Sequence, residues 1–328
     1  MRAVFLDFDT VGPGDIDIAP LLKYLPDLEL HAHTAADEVA ERITGAEVVL
    51  IIKIRLVAAT LAGAADLRLV WLAASGIDNV DIAAAREHGI AVCNIRDYCT
   101  PSVVQHVFAL ILALTNHVIE YRELLRGRAW TDSAQFCMLD FPIRELEGKT
   151  LGIVGLGALG SAVGSVGAAF GMRVLAARRP YKGGAWASGT QYSDDTGLIT
   201  RVPLGDLLQR ADIVSLHCPL TEETGNLIDA HALSMMRNDA LLINTARGGL
   251  VDSFALVDAV RNGIIGGAGI DVLRQEPPTG PEPLIENDLD NLIVTPHIAW
   301  AARESRQRAL DDITKNIAAF MRGETLNR

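Results

Sequence analysis

Three polar residues of the 328-residue chain each follow an apolar run, and their types fit one chemistry. Arg247 follows Leu241-Leu242-Ile243 within Asn244-Thr245-Ala246-Arg247-Gly248-Gly249. Glu276 comes after Gly269-Ile270-Asp271-Val272, and His297 after Ile293-Val294-Thr295-Pro296. A histidine titrates in the range needed to give or take a proton near neutral pH. A carboxylate behind it fixes the imidazole tautomer and favours the charged form. An arginine offers a planar fork to a carboxylate and a neighbouring oxygen. Proton donor, partner and anion clamp are what reduction of a 2-keto acid needs once a hydride is supplied. Alone, each residue reads better as a satisfied loop residue. Their shared place at strand ends, where open α/β sheets keep their ligand crevice, makes them a candidate site.

The hydride source is written in residues 149–180. An apolar run ends at Val154, Gly155-Leu156-Gly157-Ala158-Leu159-Gly160 follows, an Ala/Gly/Val-rich segment reaches Phe170, and a second apolar run covers 172–177. That is strand, glycine-rich turn, helix, strand. The first glycine permits the tight turn, the second lets backbone approach a pyrophosphate, and the third lets the helix pack on the strand. The helix start offers unpaired N–H groups and a positive dipole end. A dinucleotide site of Rossmann type is expected.

These residues need a scaffold. Apolar runs at 3–6, 47–52, 69–72 and 90–93 read as strands, and 36–43 and 80–88 as helices, the latter closed by Gly89. Thr100-Pro101-Ser102 starts a long helix whose body, 103–114, is apolar almost all round and so buried between domains or in a subunit interface. Residues 127–142 are irregular and aromatic. A loop is expected over 182–197, strands at 213–217, 241–244, 269–272 and 292–295, helices at 230–236 and 254–261, and an amphipathic helix from Arg303 to Met321. The alternation predicts two parallel sheets: a substrate domain at 1–100 plus 297–328, and a dinucleotide-binding domain at 101–296.

Composition narrows the partners. Hydrophobic residues make 49% and charged residues 21%, a globular profile. The net charge of −12 argues against nucleic acid, and the apolar run at 103–114 is too short to span a bilayer. The N-terminus lacks a signal-peptide core, and Cys93, Cys99, Cys137 and Cys218 have no metal-ligand spacing. A cytoplasmic protein with reduced thiols and no metal is expected.

The chain resembles, end to end, the D-isomer-specific 2-hydroxyacid dehydrogenases. The resemblance rests on the glycine motif, His217-Cys218-Pro219-Leu220-Thr221, Asn244-Thr245-Ala246-Arg247-Gly248-Gly249 with Val251-Asp252, Asp271-Val272 with Glu276-Pro277, and Thr295-Pro296-His297-Ile298-Ala299. Gln105-His106, Gln135-Phe136-Cys137 and His297-Ile298-Ala299-Trp300 look most like its glycerate dehydrogenase/hydroxypyruvate reductase branch. The resemblance implies an α/β fold of two doubly wound parallel-sheet domains, a flavodoxin-like substrate domain and a Rossmann cofactor domain. It implies Arg247 as substrate binder, His297 as general acid/base and Glu276 as its partner. Asp271 would meet the nicotinamide carboxamide, and the backbone at Ser75-Gly76 the substrate carboxylate, with Lys53 in the same cleft. Ala158, Leu159 and Gly160 would take the pyrophosphate, Cys218 and Pro219 the adenine side, with Thr224 near the phosphates. Val103, His217, Thr245, Ala246 and Ala299 complete the implied cofactor set, and a homodimer through the cofactor domain is implied.

One departure concerns the cofactor. The strand at 174–177 ends in Arg178-Arg179-Pro180, where an acid for the ribose hydroxyls is usual. Two guanidinium groups there predict NADP(H) preferred, with NAD(H) possible, unless an acid in 192–195 serves the ribose. Hydroxypyruvate or glyoxylate is the expected substrate. Lactate, phosphoglycerate or phosphite specificity stays open, as does a cofactor-sensing binding protein like the family's corepressor relatives. Formate dehydrogenase relatives, which carry an amide at the place of Glu276, are disfavoured.

Overall fold

Runs of Val, Ile and Leu too continuous for a half-exposed strand are what a parallel sheet covered on both faces demands. The structure, a computed structural model, is described for residues 1–74, 76–77, 79–95, 97–179, 192–193 (backbone only) and 199–324. It contains two such sheets, in two compact units: Met1–Cys99 with Trp300–Arg328, and Thr100–Ala299. His297 thus falls in the unit carrying the glycine motif, a boundary three residues beyond the 296/297 division expected from sequence.

The first unit holds β1 (Ala3–Phe5), β2 (Glu29–Leu30), β3 (Val48–Ile51), β4 (Leu69–Leu72) and β5 (Ala91–Asn94), all parallel, in the order β2-β1-β3-β4-β5. This is the flavodoxin-like order, whose switch point lies between β1 and β3. β1, β3 and β4 are buried at every residue. The final helix, Arg303–Met321, packs on the short helix Ala19–Leu22. Arg306 pins it with a two-pronged ion pair to Asp15 (2.7 and 2.5 Å) and a bond to the Val11 carbonyl. That fork holds the Asp15 carboxyl below its ordinary range.

The second unit holds β6 (Thr150–Val154), β7 (Arg173–Ala177), β8 (Tyr192–Ser193), β9 (Ile199–Val202), β10 (Ile213–Leu216), β11 (Leu241–Asn244), β12 (Gly267–Ile270) and β13 (Leu292–Val294). Their order is β13-β12-β11-β10-β6-β7-β9-β8, with β8 alone antiparallel. The seven parallel strands follow the Rossmann sequence, with the switch point between β6 and β10. The helix Thr100–Asn116 packs within this unit on the helix Ala158–Ala169 and on β11 and β12, burying Val103, Val107, Leu110, Ile111 and Leu114. Its apolar girth is core. No single described helix is long and apolar enough to cross a membrane.

Two expectations shift. The strand expected at 269–272 runs over Gly267–Ile270, paired with β11 from Leu241↔Gly267. Glycines with little strand preference hid its start, and Asp271 is therefore the first residue past a strand end. β9 and the helices Leu204–Arg210 and Val118–Arg126 were not anticipated, because Ile199-Thr200-Arg201-Val202 is brief and polar at its centre. Of the loop expected at 182–197, most lies outside the described residues; Tyr192–Ser193 is a strand.

Candidate active site

The glycine motif does three separate things. Gly155 has φ +102°, and a Cβ on it would stand 2.4 Å from the Cys218 nitrogen, so turn and close approach both demand glycine. At Gly160 a Cβ would sit 2.1 Å from the Gly155 carbonyl oxygen. Gly157 is different. Its backbone is extended (φ −96°, ψ −162°), and nothing lies within 4 Å of its would-be Cβ. No part of the described chain uses that space. It adjoins the start of the helix Ala158–Ala169, whose first N–H groups, on Ala158, Leu159 and Gly160, have no acceptor inside the helix. Thr245 adds a buried hydroxyl with no hydrogen-bond partner among the described residues. Vacant space, unspent donors and an orphaned hydroxyl fit a dinucleotide.

The surroundings are neutral. His217 donates its N–H to the Val154 carbonyl at 2.7 Å, and its Nε2 lies 2.9 Å from Ser215 Oγ. Burial pushes its imidazole down to about 4. Burial pushes the Cys218 thiol up to about 11, which makes it an inert wall. Thr224 is buried and spends its hydroxyl inside the turn, donating to the Pro219 carbonyl at 2.7 Å and accepting the Thr221 N–H at 2.7 Å. Arg178, half-buried, and Arg179, exposed, come directly after β7, and the Arg178 N–H is held by the Val202 carbonyl at 2.8 Å. Pro180 and residues 194–195 lie outside the described residues.

His297 and Glu276 meet past the ends of β13 and β12. His297 Nδ1 is 2.5 Å from Glu276 Oε2, and Glu276 Oε1 accepts the Leu273 N–H at 2.8 Å. His297 sits at φ +55°, a left-handed conformation that costs a non-glycine residue about 1–3 kcal/mol. Asp271 offsets it. Its carbonyl accepts the His297 N–H at 2.7 Å, Oδ1 the Ile298 N–H at 2.9 Å and Oδ2 the Ala299 N–H at 2.9 Å. Thr295 Oγ1 donates to Oδ1 at 2.6 Å, and the carboxylate is fully buried. Ser102, one residue before Val103, donates to the Ala299 carbonyl at 2.6 Å.

Arg247 comes after β11. Asn244 shapes its turn, accepting the Ala246 N–H at 3.1 Å and donating to the Arg247 carbonyl at 2.9 Å. A Cβ on the next residue, Gly248, would stand 2.0 Å from the Leu273 carbonyl carbon, so this turn lies tight against the one that leads to Glu276. Sequence therefore found residues that the fold brings to neighbouring strand ends. A cavity of about 570 Å³ borders Glu276, His297, Asp271, Leu273, Pro277 and Thr295. Among the described residues no group of three His, Cys, Asp or Glu side chains could hold a metal ion.

In the first unit Lys53 is exposed just past β3, Gly76 is half-buried, and Ser75 lies outside the described residues. Sequence reading missed the residue that holds the backbone at Lys53. Asp7, 4% exposed, accepts the N–H groups of Ile52 (3.0 Å), Lys53 (2.8 Å) and Ile54 (3.3 Å). Desolvation outweighs those amides and raises its carboxyl above the usual range. Asn79 closes the other side, donating to the Ile52 and Ile54 carbonyls. Asp7 also follows an apolar strand, so the rule that found Arg247, Glu276 and His297 could have found it.

Comparison with known proteins agrees with this architecture. The family described as D-isomer specific 2-hydroxyacid dehydrogenase, NAD binding domain, matches residues 108–299. A glycerate dehydrogenase of Methylorubrum extorquens is 44% identical over 291 residues, covering 89% of this chain and 88% of the relative. A hydroxypyruvate reductase of Blautia hydrogenotrophica is 34% identical over 331 residues, 100% of this chain and 99% of the relative. The crystal structure of the TT0316 protein from Thermus thermophilus superposes with a TM-score of 0.81 at 33% identity, over 99% of this chain and 98% of that one.

Proposed function

Since the chain belongs to the D-isomer specific 2-hydroxyacid dehydrogenase family, we propose that it reduces hydroxypyruvate or glyoxylate with NADPH. The observation that carries this is the 2.5 Å contact of His297 with Glu276 at strand ends of the sheet that also bears the glycine cradle.

When bound, the reduced nicotinamide supplies the hydride. The chain supplies the rest. Arg247 clamps the substrate's carboxylate and keto oxygen by charge-assisted bonds. Glu276 engages Nδ1, and His297 donates the proton to the keto oxygen from Nε2. Glu276 holds the imidazole in place for that transfer. The backbone at Ser75-Gly76 and the Lys53 side chain bind the substrate carboxylate. Asp271, its carboxylate oxygens already bonded, fixes the His297 turn and keeps a lone pair for the carboxamide. Ala158, Leu159 and Gly160 take the pyrophosphate, while Thr245, Ala246, Val103 and Ala299 line the nicotinamide end. His217, Cys218 and Pro219 line the adenine side, with Thr224 holding their turn.

Arg178 and Arg179 support the NADPH preference, because they stand past β7 at about the 20-residue offset where an acid would repel a 2′-phosphate. The protein is read as a cytoplasmic homodimer through its cofactor unit. Val118 (58% exposed), Phe136 (93%) and Leu139 (79%), in the segment after the buried helix Thr100–Asn116, supply apolar surface for that interface.

The test is a panel of 2-keto acids assayed with NADH and NADPH, on a sample whose mass is read by light scattering. The expectation is turnover of hydroxypyruvate or glyoxylate, higher kcat/KM with NADPH, a dimer mass, and a reversal toward NADH in Arg178→Glu. Dinucleotide binding without turnover would favour a sensing protein, wild-type preference for NADH would remove the arginines from phosphate recognition, and a single-chain mass would remove the dimer.

A further inference from the structure

Behind the His297 turn, Asp271 is the end of a hydrogen-bonded chain whose other members, Thr295 and His106, have no part in the proposed reaction. Thr295 Oγ1 is 2.6 Å from Asp271 Oδ1, and His106 Nε2 is 3.0 Å from Thr295 Oγ1 and 3.5 Å from Asp271 Oδ1. A hydroxyl has one proton to give, and an ionised carboxylate can only accept. The Thr295 proton therefore goes to Asp271, and His106 Nε2 must be the donor to Thr295. That fixes the tautomer of His106, whose side chain is 17% exposed beside a carboxylate with no exposure at all. Asp271 then gathers the N–H groups of His297, Ile298 and Ala299, which hold His297 at φ +55°.

We infer that His106 is a positioning residue for His297, acting through Thr295 and Asp271. The helix Thr100–Asn116 sets His106, His106 sets the Thr295 hydroxyl, and the hydroxyl sets the carboxylate on which the left-handed turn hangs. This deepens the reading of His297 as proton donor and rests on it.

The variants are His106→Phe, which removes the donor, His106→Gln, whose amide can put an N–H near the place of Nε2, and Thr295→Val. In His106→Phe and Thr295→Val, kcat should fall by about 10- to 100-fold, the scale of a misplaced reacting group. KM for the keto acid and cofactor affinity should stay within roughly twofold. The double variant should be no worse than either single one, because both cut the same chain. His106→Gln should recover most of the loss. Hydrogen exchange of the protein without cofactor gives a readout independent of turnover. The Ile298 and Ala299 amides should exchange faster in His106→Phe and Thr295→Val and at the wild-type rate in His106→Gln. Unchanged kcat in a folded His106→Phe, equal loss in His106→Gln, additive losses or unchanged exchange would each overturn the inference. If wild type turns over no keto acid, the proposed function fails, and the exchange experiment still decides whether the chain holds the turn.

Discussion

Each sheet has one place where strand order reverses, and the two are filled in opposite ways. In the first sheet the reversal lies between β1 and β3. There Asp7 occupies it, collecting the N–H groups of Ile52, Lys53 and Ile54. In the second it lies between β6 and β10, and the space beside Gly157 is left vacant next to a helix start. The same topology thus gives one crevice sealed by the chain's own carboxylate and one open to an outside anion. A switch point offers unspent N–H groups; a neighbouring side chain decides whether they are used internally or kept for a ligand. Both reversals disfavour charge, since burial raises the Asp7 carboxyl and lowers the His217 imidazole.

The largest effect should come from the open sheet's chemistry. His297→Ala should cost about 10²–10⁴ in kcat, the usual worth of a positioned proton donor. Glu276→Gln should cost less, because an amide can still meet Nδ1 while the charge-assisted contact is gone. Steady-state kinetics measures both. An unchanged kcat in Glu276→Gln would detach the pair from the chemistry.

Much of this division was legible in the sequence. Both sheets, all their parallel strands but β2 and β9, and the three polar residues after β11, β12 and β13 followed from apolar runs and what ended them. What stayed hidden was set by partners distant in sequence. Asp7 reaches its amides across 45 to 47 positions, and His106 reaches Thr295 across 189. Thr224 looked available for phosphate, yet its hydroxyl is consumed within its own turn. The helix at 103–114 read correctly as buried; that its burial is spent within one unit needed the packing against β11 and β12.

Smaller effects sharpen the comparison through pH and stability. His217 is lowered from 6.5 to about 4 in the folded chain. Its contribution is complete above 6.5 and is lost as pH falls toward 4, up to about 3 kcal/mol at 1.36 kcal/mol per unit. Asp7 has the opposite sign. Its raised carboxyl contributes stability that is present below 3.8 and lost as pH rises through the raised value. Thermal midpoints against pH should therefore lose their acid-side fall in His217→Gln and their fall above the carboxylate range in Asp7→Asn. The same slope change in both variants would mean that the two reversals are not opposites.

Gly157→Val asks whether a dinucleotide fills the second reversal. The extended backbone there accepts any residue and an added Cβ meets nothing within 4 Å in the described chain, so the change should cost no more than about 1 kcal/mol of stability, the scale of an altered helix cap. The measurement is NADPH and NADH affinity by fluorescence titration beside the thermal midpoint. The midpoint should stay nearly unchanged while binding of both dinucleotides weakens about tenfold or more, equivalent to the loss of about 1.4 kcal/mol. Wild-type affinity in a folded Gly157→Val would contradict it.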